Sequence, residues 1–149
     1  VVSPMVQNID IALTVMDAMG VSLPDGLGQA RQMDGKSFLP LLEGREVSWR
    51  DHILYEYHWE WNFPATPTLF SIRTDRYKYV YHHGTWDIDA FYDLEEDPIE
   101  RHNLIEVPGY QKMIGQLRDQ MFEELEASGA LDVPFRKPAG DRLDQRKLE

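Results

Sequence analysis

The sequence predicts an α+β fold, in which a small four-stranded antiparallel sheet is packed by a long C-terminal helix and preceded by an N-terminal amphipathic helix. Three observations support this prediction. Four short runs of strand-like residues lie near positions 53–57, 69–73, 77–82 and 90–93. The connections are of hairpin length, which favours antiparallel pairing. An apolar stripe at helical spacing then runs between residues 110 and 125.

The N-terminal helix is predicted to begin at Ser3-Pro4, with serine as the N-cap and proline at the first helical position. Gly20 lies where a C-terminal glycine belongs. Asp10 and Thr14 lie four residues apart on a neighbouring face, and we interpret them as a solvated or locally hydrogen-bonded pair. The face that is expected to pack carries the apolar residues Met5, Ile9, Ala12, Leu13 and Met16.

A loop, a short helix and an aromatic segment are predicted next. Residues 21–36 contain proline and several glycines and are interpreted as a loop, while the apolar run 37–42 should form one or two helical turns that end at Gly44. The strand near 53–57 is followed by an aromatic cluster that Pro64 and Pro67 interrupt, and proline excludes a central strand there. This loop either lines a ligand-binding site or covers the hydrophobic core. Its aromatic members are His58, Trp59, Trp61 and Phe63.

Residues 72–104 organise the predicted sheet. A polar break at 74–76 precedes a strand in which tyrosines recur at every second position, at Tyr77, Tyr79 and Tyr81. A brief apolar run at 91–94 supplies the last strand. Asp97-Pro98 ends it, because proline cannot donate a ladder hydrogen bond and restricts the residue before it.

The C-terminal helix is predicted to run from Pro108-Gly109 to about Ser128, where Gly129 ends it. Its apolar stripe is interpreted as core, because one face carries Tyr110, Met113, Ile114, Leu117, Met121 and Leu125. Beyond Pro134 the tail is polar, and we expect it to be extended or disordered.

Composition excludes several classes of function. The chain of 149 residues has 15 Lys and Arg against 26 Asp and Glu, and its net charge of -11 argues against a nucleic-acid partner. It contains no cysteine, which excludes disulfides, thiolate metal sites and a cysteine nucleophile. No apolar run approaches the roughly 20 residues of a membrane span. Because no signal peptide or initiator methionine precedes Val1, we expect the sequence to be part of a longer chain.

The residues do not form a complete catalytic constellation by themselves. Adjacent His82 and His83 point to opposite faces of a strand and cannot both bind one metal, and the remaining histidines lack zinc-site spacing. No Gly-x-Ser-x-Gly elbow or glycine-rich phosphate loop is present. We interpret the acidic run at 95–97 as a solvated turn rather than a calcium loop.

A local basic cluster is the remaining candidate for anion binding. Arg73 and Lys78 should flank one turn with Arg76 at its tip, while His82 and His83 lie at the far end of the strand. Arginine and lysine bind sulfate or phosphate oxygens through charge-assisted hydrogen bonds. Exposed charges that solubilise a hairpin explain the same pattern, and both interpretations stay open.

Several segments resemble the sulfatase family. IRTDRYKY at 72–79 followed by FYDLxxDPxExxNL at 91–104 is similar to the C-terminal signature of that family, and NIDIALT at 8–14 and DGKSFLPLL at 34–42 resemble segments that lead into it. The family usually has Ala-Pro-Thr where this chain has Ala12-Leu13-Thr14. YEYHWE at 55–60, FPxTPT at 63–68 and residues 128–134 look most like bacterial sulfatases related to N-acetylglucosamine-6-sulfatases.

The resemblance implies a sulfuric ester hydrolase whose catalytic half lies upstream, in an α/β domain with an alkaline-phosphatase-like fold. Family members use calcium and a formylglycine made from a Cys/Ser-x-Pro-x-Arg motif. Ser22-Leu23-Pro24 begins like that motif, but Asp25-Gly26 follows it, and the Asp-Asp pair of the calcium site is missing. Asp119-Gln120 lies in the amphipathic helix and is no substitute. We therefore assign no catalytic residue, metal ligand or cofactor to this chain and expect it to be inactive alone.

The resemblance also implies an organisation and a cleft. Residues 1–48 would end the catalytic-domain region, 49–131 would form the C-terminal subdomain, and 132–149 would be an extended or disordered tail. In such enzymes the subdomain packs on the catalytic domain and contributes loops to the substrate cleft. The substrate-binding candidates are His58, Trp59, Trp61 and Arg73, since aromatic faces suit sugar rings and histidine can donate to a hydroxyl.

The expected partners are the upstream domain of the same chain and a sulfated sugar such as 6-sulfated N-acetylglucosamine, with no nucleic acid and no membrane. The family implies a periplasmic or extracellular location. Two alternatives stay open: a related phosphonate or phosphodiester hydrolase, and a stand-alone glycan-binding or oligomerisation module. An isolated chain would expose an apolar patch on its first helix and is expected to self-associate.

Overall fold

The computed structural model describes residues 3–21, 33–58, 67–84 and 88–131. The chain divides into two compact units, residues 1–53 and residues 54–149. The boundaries predicted at 48/49 and 131/132 remain predictions, and the tail at 132–149 lies outside the described residues.

In the first unit, residues 3–21 and 33–53 contain the helices α1 (Ile9–Ala18) and α2 (Leu39–Leu42). The prediction that α1 begins at Ser3-Pro4 is wrong, because its N-cap is Asn8. The carbonyl oxygen of Met5 accepts a hydrogen bond from the indole N–H of Trp49 at 2.7 Å, so this oxygen has a side-chain partner instead of a helical one. The short helix α2 is followed by Gly44 at a φ of 72°, as predicted.

The buried face of α1 also differs from the prediction. Asp10 and Thr14 are buried, whereas Ile9 and Ala12 are exposed. The buried polar residues of α1, rather than its periodic apolar residues, therefore decide which face of the helix packs inward. The opposite side of the helix leaves Ile11, Val15 and Met19 54%, 50% and 64% exposed.

Gly35 lies so close to the first turn of α1 that no side chain fits. A Cβ atom at Gly35 would overlap the carbonyl oxygen of Ile9 and lie 3.1 Å from the Cα atom of Asp10. We expect Gly35→Ala to lower the free energy of unfolding by about 2 kcal/mol, because backbone atoms cannot move aside as a flexible side chain can. Urea denaturation measures the change, and Gly115→Ala in a helix is the control because nothing lies within 4 Å of a Cβ there. A loss no larger than in the control would contradict the close approach.

The sheet consists of four strands in the order β1-β2-β3-β4 and is antiparallel, as predicted. The strands are β1 (His52–Tyr57), β2 (Thr68–Thr74), β3 (Tyr77–His83) and β4 (Ala90–Asp93). Arg73 lies opposite Lys78 at the turn between β2 and β3, and Thr68 lies opposite His83 at the other end. The sheet therefore has a turn end and an opposite end, where β1 and β3 finish and β2 starts.

One face of the sheet packs against the long helix α3 (Gln111–Ser128), which follows a 3-10 turn at Pro108–Tyr110. Gly129 ends α3 in the left-handed conformation, with a φ of 77°. The helix and its core role are confirmed. The buried core consists of Phe70, Ile72, Tyr79 and Phe91 from the sheet and Ile114, Leu117, Met121 and Leu125 from α3, while Tyr110 and Met113 pack against it partly buried.

Candidate substrate-facing site

Three histidines gather at the end of the sheet opposite the β2–β3 turn. His82 and His83 close β3, where they lie opposite Leu69 and Thr68 of β2. His58 follows β1, and its ring packs edge-on against Phe70 of β2 with centroids 5.7 Å apart. We call His58, His82 and His83 the histidine end of the sheet.

His58 packs against the core on one side and is partly exposed to solvent on the other. Its side chain is 32% exposed, and its Nε2 atom lies 3.7 Å from Oε2 of Glu56. Its Nδ1 atom is buried and has no hydrogen-bond partner among the described residues. Because a buried N–H donor without an acceptor is costly, this environment favours the tautomer with the proton on Nε2. His58 then offers Nε2–H as a donor.

An aromatic row connects His58 to His83 across three strands. Phe70 and Tyr81 lie opposite each other and stack with centroids 6.4 Å apart. His83 packs edge-on to Tyr81 at 6.3 Å. Phe122 of α3 packs against Tyr81 at 5.1 Å. The row His58, Phe70, Tyr81 and His83 therefore lies on the helix-covered face, and its two ends are histidines.

His82 points to the opposite face of β3, as the strand alternation predicted. Its backbone N–H donates to Oδ1 of Asp89 at 3.1 Å, and its Nδ1 atom is buried with no hydrogen-bond partner in the described part of the chain. Oδ2 of Asp89 accepts the hydroxyl proton of Tyr79 at 2.6 Å. Burial, together with this hydrogen bond to Asp89, raises the pKa of the Tyr79 hydroxyl above its ordinary value. Asp89 thus fixes the end of β3.

Of the four substrate-binding candidates, His58 and Arg73 lie within the described residues. Trp59 and Trp61 lie outside the described residues. Arg73 is exposed at the turn end of β2, whereas His58 contacts Phe70 three residues earlier in the same strand. Three strand residues span about 10 Å, so Arg73 is separated from His58 along the sheet.

The basic cluster around the turn is largely paired with carboxylates. Arg76 donates to both oxygens of Asp93 at 2.8–3.2 Å and lies 3.0 Å from Glu95. The hydrogen bonds from Arg76 hold the pKa of Asp93 below its usual range, although burial opposes them. Lys78 bonds Glu100 at 2.7 Å. Two of the three predicted anion-binding cations therefore have structural partners.

The turn after β4 is fixed by the polar residues of the same signature. Asp97 accepts the backbone N–H groups of Arg101 and His102 at 2.7 and 2.8 Å. The side-chain oxygen of Asn103 accepts the backbone N–H of Phe91 at 3.0 Å, and its amide donates to the carbonyl of Asp89 at 3.0 Å. The 95–97 segment is a turn, as predicted, but Asp97 is a hydrogen-bond acceptor within it rather than a solvated charge.

The first unit contains a buried ion pair that sequence reasoning missed. The fully buried carboxylate of Asp10 accepts a hydrogen bond from each terminal guanidinium nitrogen of Arg50, at 2.6 and 2.8 Å. It also accepts the backbone N–H groups of Gln7 and Lys36, each at 2.7 Å. Burial raises the pKa of Asp10, but the hydrogen bonds from Arg50, Gln7 and Lys36 outweigh burial and hold the pKa below its ordinary value.

Thr14 extends this network one turn further along α1. Its hydroxyl donates to the carbonyl of Asp10 at 2.8 Å and accepts the backbone N–H of Phe38 at 3.0 Å. The interpretation of Asp10 and Thr14 as a local pair was therefore incomplete, because the pair also bonds the backbone N–H groups of Lys36 and Phe38 and the side chain of Arg50. The spacing Asp-x-x-x-Thr on a helix, together with a later Trp-Arg, was the available sequence signal.

A family model described as "N-sulphoglucosamine sulphohydrolase, C-terminal" matches residues 1–127. The chain belongs to the sulfatase family. The matched sulfatase region includes the Asp10 network, the sheet and nearly all of α3. The polar residues of the family signature described above thus hold the sulfatase C-terminal fold together.

Curated relatives of this member of the sulfatase family include two bacterial sulfatases. The ulvan-active sulfatase of Formosa agariphila is 27% identical over 179 residues, which cover 95% of this chain and 34% of that protein. The N-acetylglucosamine-6-O-sulfatase of Bacteroides thetaiotaomicron is 29% identical over 123 residues, which cover 78% of this chain and 20% of that protein. The sulfatase chain therefore spans about a third or less of the length of these relatives.

Solved structures share the fold of the sulfatase chain. A putative sulfatase from Bacteroides thetaiotaomicron superposes with a TM-score of 0.68 and 26% identity, over 87% of this chain and 27% of that chain. The phosphonate monoester hydrolase of Agrobacterium radiobacter superposes with a TM-score of 0.61 and 27% identity, over 80% of this chain and 24% of that chain. The predicted fold class, the C-terminal subdomain of a sulfatase-like fold, is confirmed.

The residues of this sulfatase chain do not fit the calcium and formylglycine that its family implies. No cysteine is available, and Ser22 is not followed by the required Pro-x-Arg arrangement. Within residues 3–21, 33–58, 67–84 and 88–131, no three His, Asp or Glu side chains converge as metal ligands would.

Among the same residues, no helix is both long and apolar enough to cross a membrane.

Proposed function

We propose that this chain is the C-terminal part of a sulfuric ester hydrolase that acts on a sulfated sugar, and that it contributes packing and part of the substrate cleft. The observation that carries the proposal is the position of His58. His58 directly follows β1, and its ring packs against the core residue Phe70. Its buried Nδ1 atom has no hydrogen-bond partner among the described residues, which favours the tautomer with an Nε2–H donor. Sugar hydroxyl and sulfate oxygens accept such a hydrogen bond.

The substrate proposed is a sugar of the type of 6-sulfated N-acetylglucosamine. The support comes from relatives whose names specify sulfated sugars, including the N-acetylglucosamine-6-O-sulfatase of Bacteroides thetaiotaomicron. Sequence similarity at 55–68, the segment that contains His58, Trp59 and Trp61, pointed to the same group. We propose His58, Trp59 and Trp61 as sugar contacts. Arg73 stays a candidate for a separate contact, because it lies at the other end of β2.

A phosphonate monoester hydrolase is the second candidate. The structural similarity to the Agrobacterium radiobacter enzyme, with a TM-score of 0.61, supports it. The residues that would distinguish sulfate from phosphonate are catalytic ones, which this chain does not supply. A panel of sulfated sugars and phosphonate monoesters, assayed on the full-length enzyme, separates the two candidates.

The proposed partner of this chain is a catalytic domain in the same polypeptide, which would supply calcium and formylglycine. We propose a periplasmic or extracellular location for the full-length enzyme. The apolar side of α1 formed by Ile11, Val15 and Met19 is exposed here, and we propose that the isolated chain self-associates through such surface.

The test is a kinetic comparison in the full-length enzyme with 6-sulfated N-acetylglucosamine. His58→Ala should raise KM about ten-fold, equivalent to about 1.4 kcal/mol of lost binding, because the sugar loses a hydrogen-bond donor. His58→Gln should recover much of the loss, since its amide places a donor near the position of Nε2. His102→Ala is the control, because its side chain is 75% exposed in the turn after β4.

Unchanged kinetics in both His58→Ala and Trp59→Ala would contradict the assignment of the sugar contacts. The chain of 149 residues by itself should hydrolyse none of the substrates, because it holds no nucleophile of the required type. Hydrolysis by the isolated chain would contradict the proposal that a separate domain of the same polypeptide carries the catalytic residues. Binding of glycan by the isolated chain with no catalytic domain in the parent sequence would favour the stand-alone binding module instead.

A further inference from the structure

His83 lies on the same face of the sheet as His58, although the two residues belong to different strands. Strand register places Phe70 opposite Tyr81 and Thr68 opposite His83, so all four side chains point to one face. His58 packs on Phe70, and His83 packs on Tyr81. The aromatic row therefore begins and ends in an imidazole.

His58 and His83 differ in solvent exposure, and β2 lies between β1, which His58 follows, and β3, which His83 ends. His83 is exposed at the end of β3, while its cross-strand neighbour Thr68 is buried. β1 and β3 are both neighbours of β2, so His58 and His83 are two strand spacings apart, or about 10 Å between backbones. No group of three His, Cys, Asp or Glu side chains that could hold a metal ion occurs among residues 3–21, 33–58, 67–84 and 88–131. The separation of about 10 Å suits a saccharide that lies across the end of β2.

We propose that His83 is a second sugar-binding residue of this enzyme and that the sulfated sugar is held between His58 and His83. The inference rests on the proposed function and extends its binding surface from β1 to β3. An imidazole both donates and accepts hydrogen bonds, which matches the hydroxyl groups of a sugar. The contact with Tyr81 restricts the orientation of the His83 ring, so less rotational freedom is lost when the sugar binds.

The structure distinguishes His83 from its neighbour His82 in this role. His82 points to the other face of β3, and its Nδ1 atom is buried. Its backbone is fixed by Asp89. His82 supports the end of the strand, and His83 presents its ring to the side where His58 lies.

The test uses steady-state kinetics of the full-length enzyme with 6-sulfated N-acetylglucosamine. His83→Ala should raise KM about ten-fold with kcat changed less than about two-fold, because a binding contact is lost without an effect on the reacting atoms. His83→Asn should lie within about three-fold of wild type, since its amide donates and accepts as well. The melting temperature should stay unchanged, and His102→Ala should behave as wild type.

An independent readout is the NMR signal of the His83 imidazole during titration of the enzyme with the sugar product. A shift that saturates with the sugar supports the contact even if turnover is slow. An unchanged signal, an unchanged KM in His83→Ala, or a KM change that is matched by a fall in melting temperature would overturn the inference. If wild type hydrolyses phosphonates but no sulfated sugar, the proposed function fails; if wild type hydrolyses sulfated sugars and His83→Ala is normal, only this inference fails.

Discussion

Arg50→Ala is expected to lower the free energy of unfolding by about 3 kcal/mol at neutral pH. The substitution leaves the carboxylate of Asp10 fully buried without its charged partner, and breaking a buried pair costs far more than the net contribution of the pair. Urea denaturation at constant ionic strength measures the loss. Arg45→Ala is the matched control, because the ion pair of Arg45 with Glu43 is 57% and 49% exposed and should contribute less than about 1 kcal/mol.

The pH dependence of the same pair provides a second check. The pKa of Asp10 is lowered in the folded chain, so its stabilisation is fully present above the unfolded value of about 4 and is lost as the pH falls through the folded value. The difference in stability between wild type and Arg50→Ala should therefore shrink when the pH is lowered below about 4. A difference that is independent of pH would show that lost packing of Arg50, rather than its charge, causes the effect.

Phe91→Ala is expected to lower the free energy of unfolding by about 4 kcal/mol. Phe91 is fully buried, lies opposite Tyr79, and packs against the rings of Tyr77 and Tyr110, each at 5.5 Å. Its removal loses the transfer free energy of the ring and leaves a cavity between β4 and the start of α3. Thermal or urea denaturation measures the change.

Ile99→Ala is the control for the Phe91 experiment, because Ile99 is 70% exposed in the turn after β4. It should change stability by less than about 0.5 kcal/mol. If Phe91→Ala cost no more than Ile99→Ala, the packing of β4 against β3 and the 3-10 turn at Pro108–Tyr110 would be wrong. A loss of cooperativity instead of a shift in midpoint would show that the sheet and α3 unfold separately.

The second unit could be predicted from sequence because its signals are local. The period-2 tyrosines of β3 and the helical spacing of Ile114, Leu117, Met121 and Leu125 each follow from the geometry of one element. Proline and glycine then mark the ends, as Pro108 and Gly129 do at the two ends of the C-terminal helix. The positions of these elements can therefore be predicted from short stretches of sequence.

The histidine end could be predicted only in part. Alternation along β3 separates His82 from His83, and this follows from the sequence. The register that places His83 opposite Thr68, and the contact of His58 with Phe70, depend on how strands pair. The sequence therefore led to the prediction that His58 contacts the sugar, and it did not relate His58 to His83.

By itself, the sequence determined the family, the antiparallel sheet and the long helix, because these depend on motifs and on periods of two or about 3.6 residues. Only the tertiary structure decided that Asp10 is buried, since its partner Arg50 is 40 residues away and no local pattern relates the two. It also decided that Arg76 and Lys78 pair with Asp93 and Glu100. Charges separated in sequence meet only when the chain folds, and the buried carboxylates of Asp10 and Asp93 then require a charged partner.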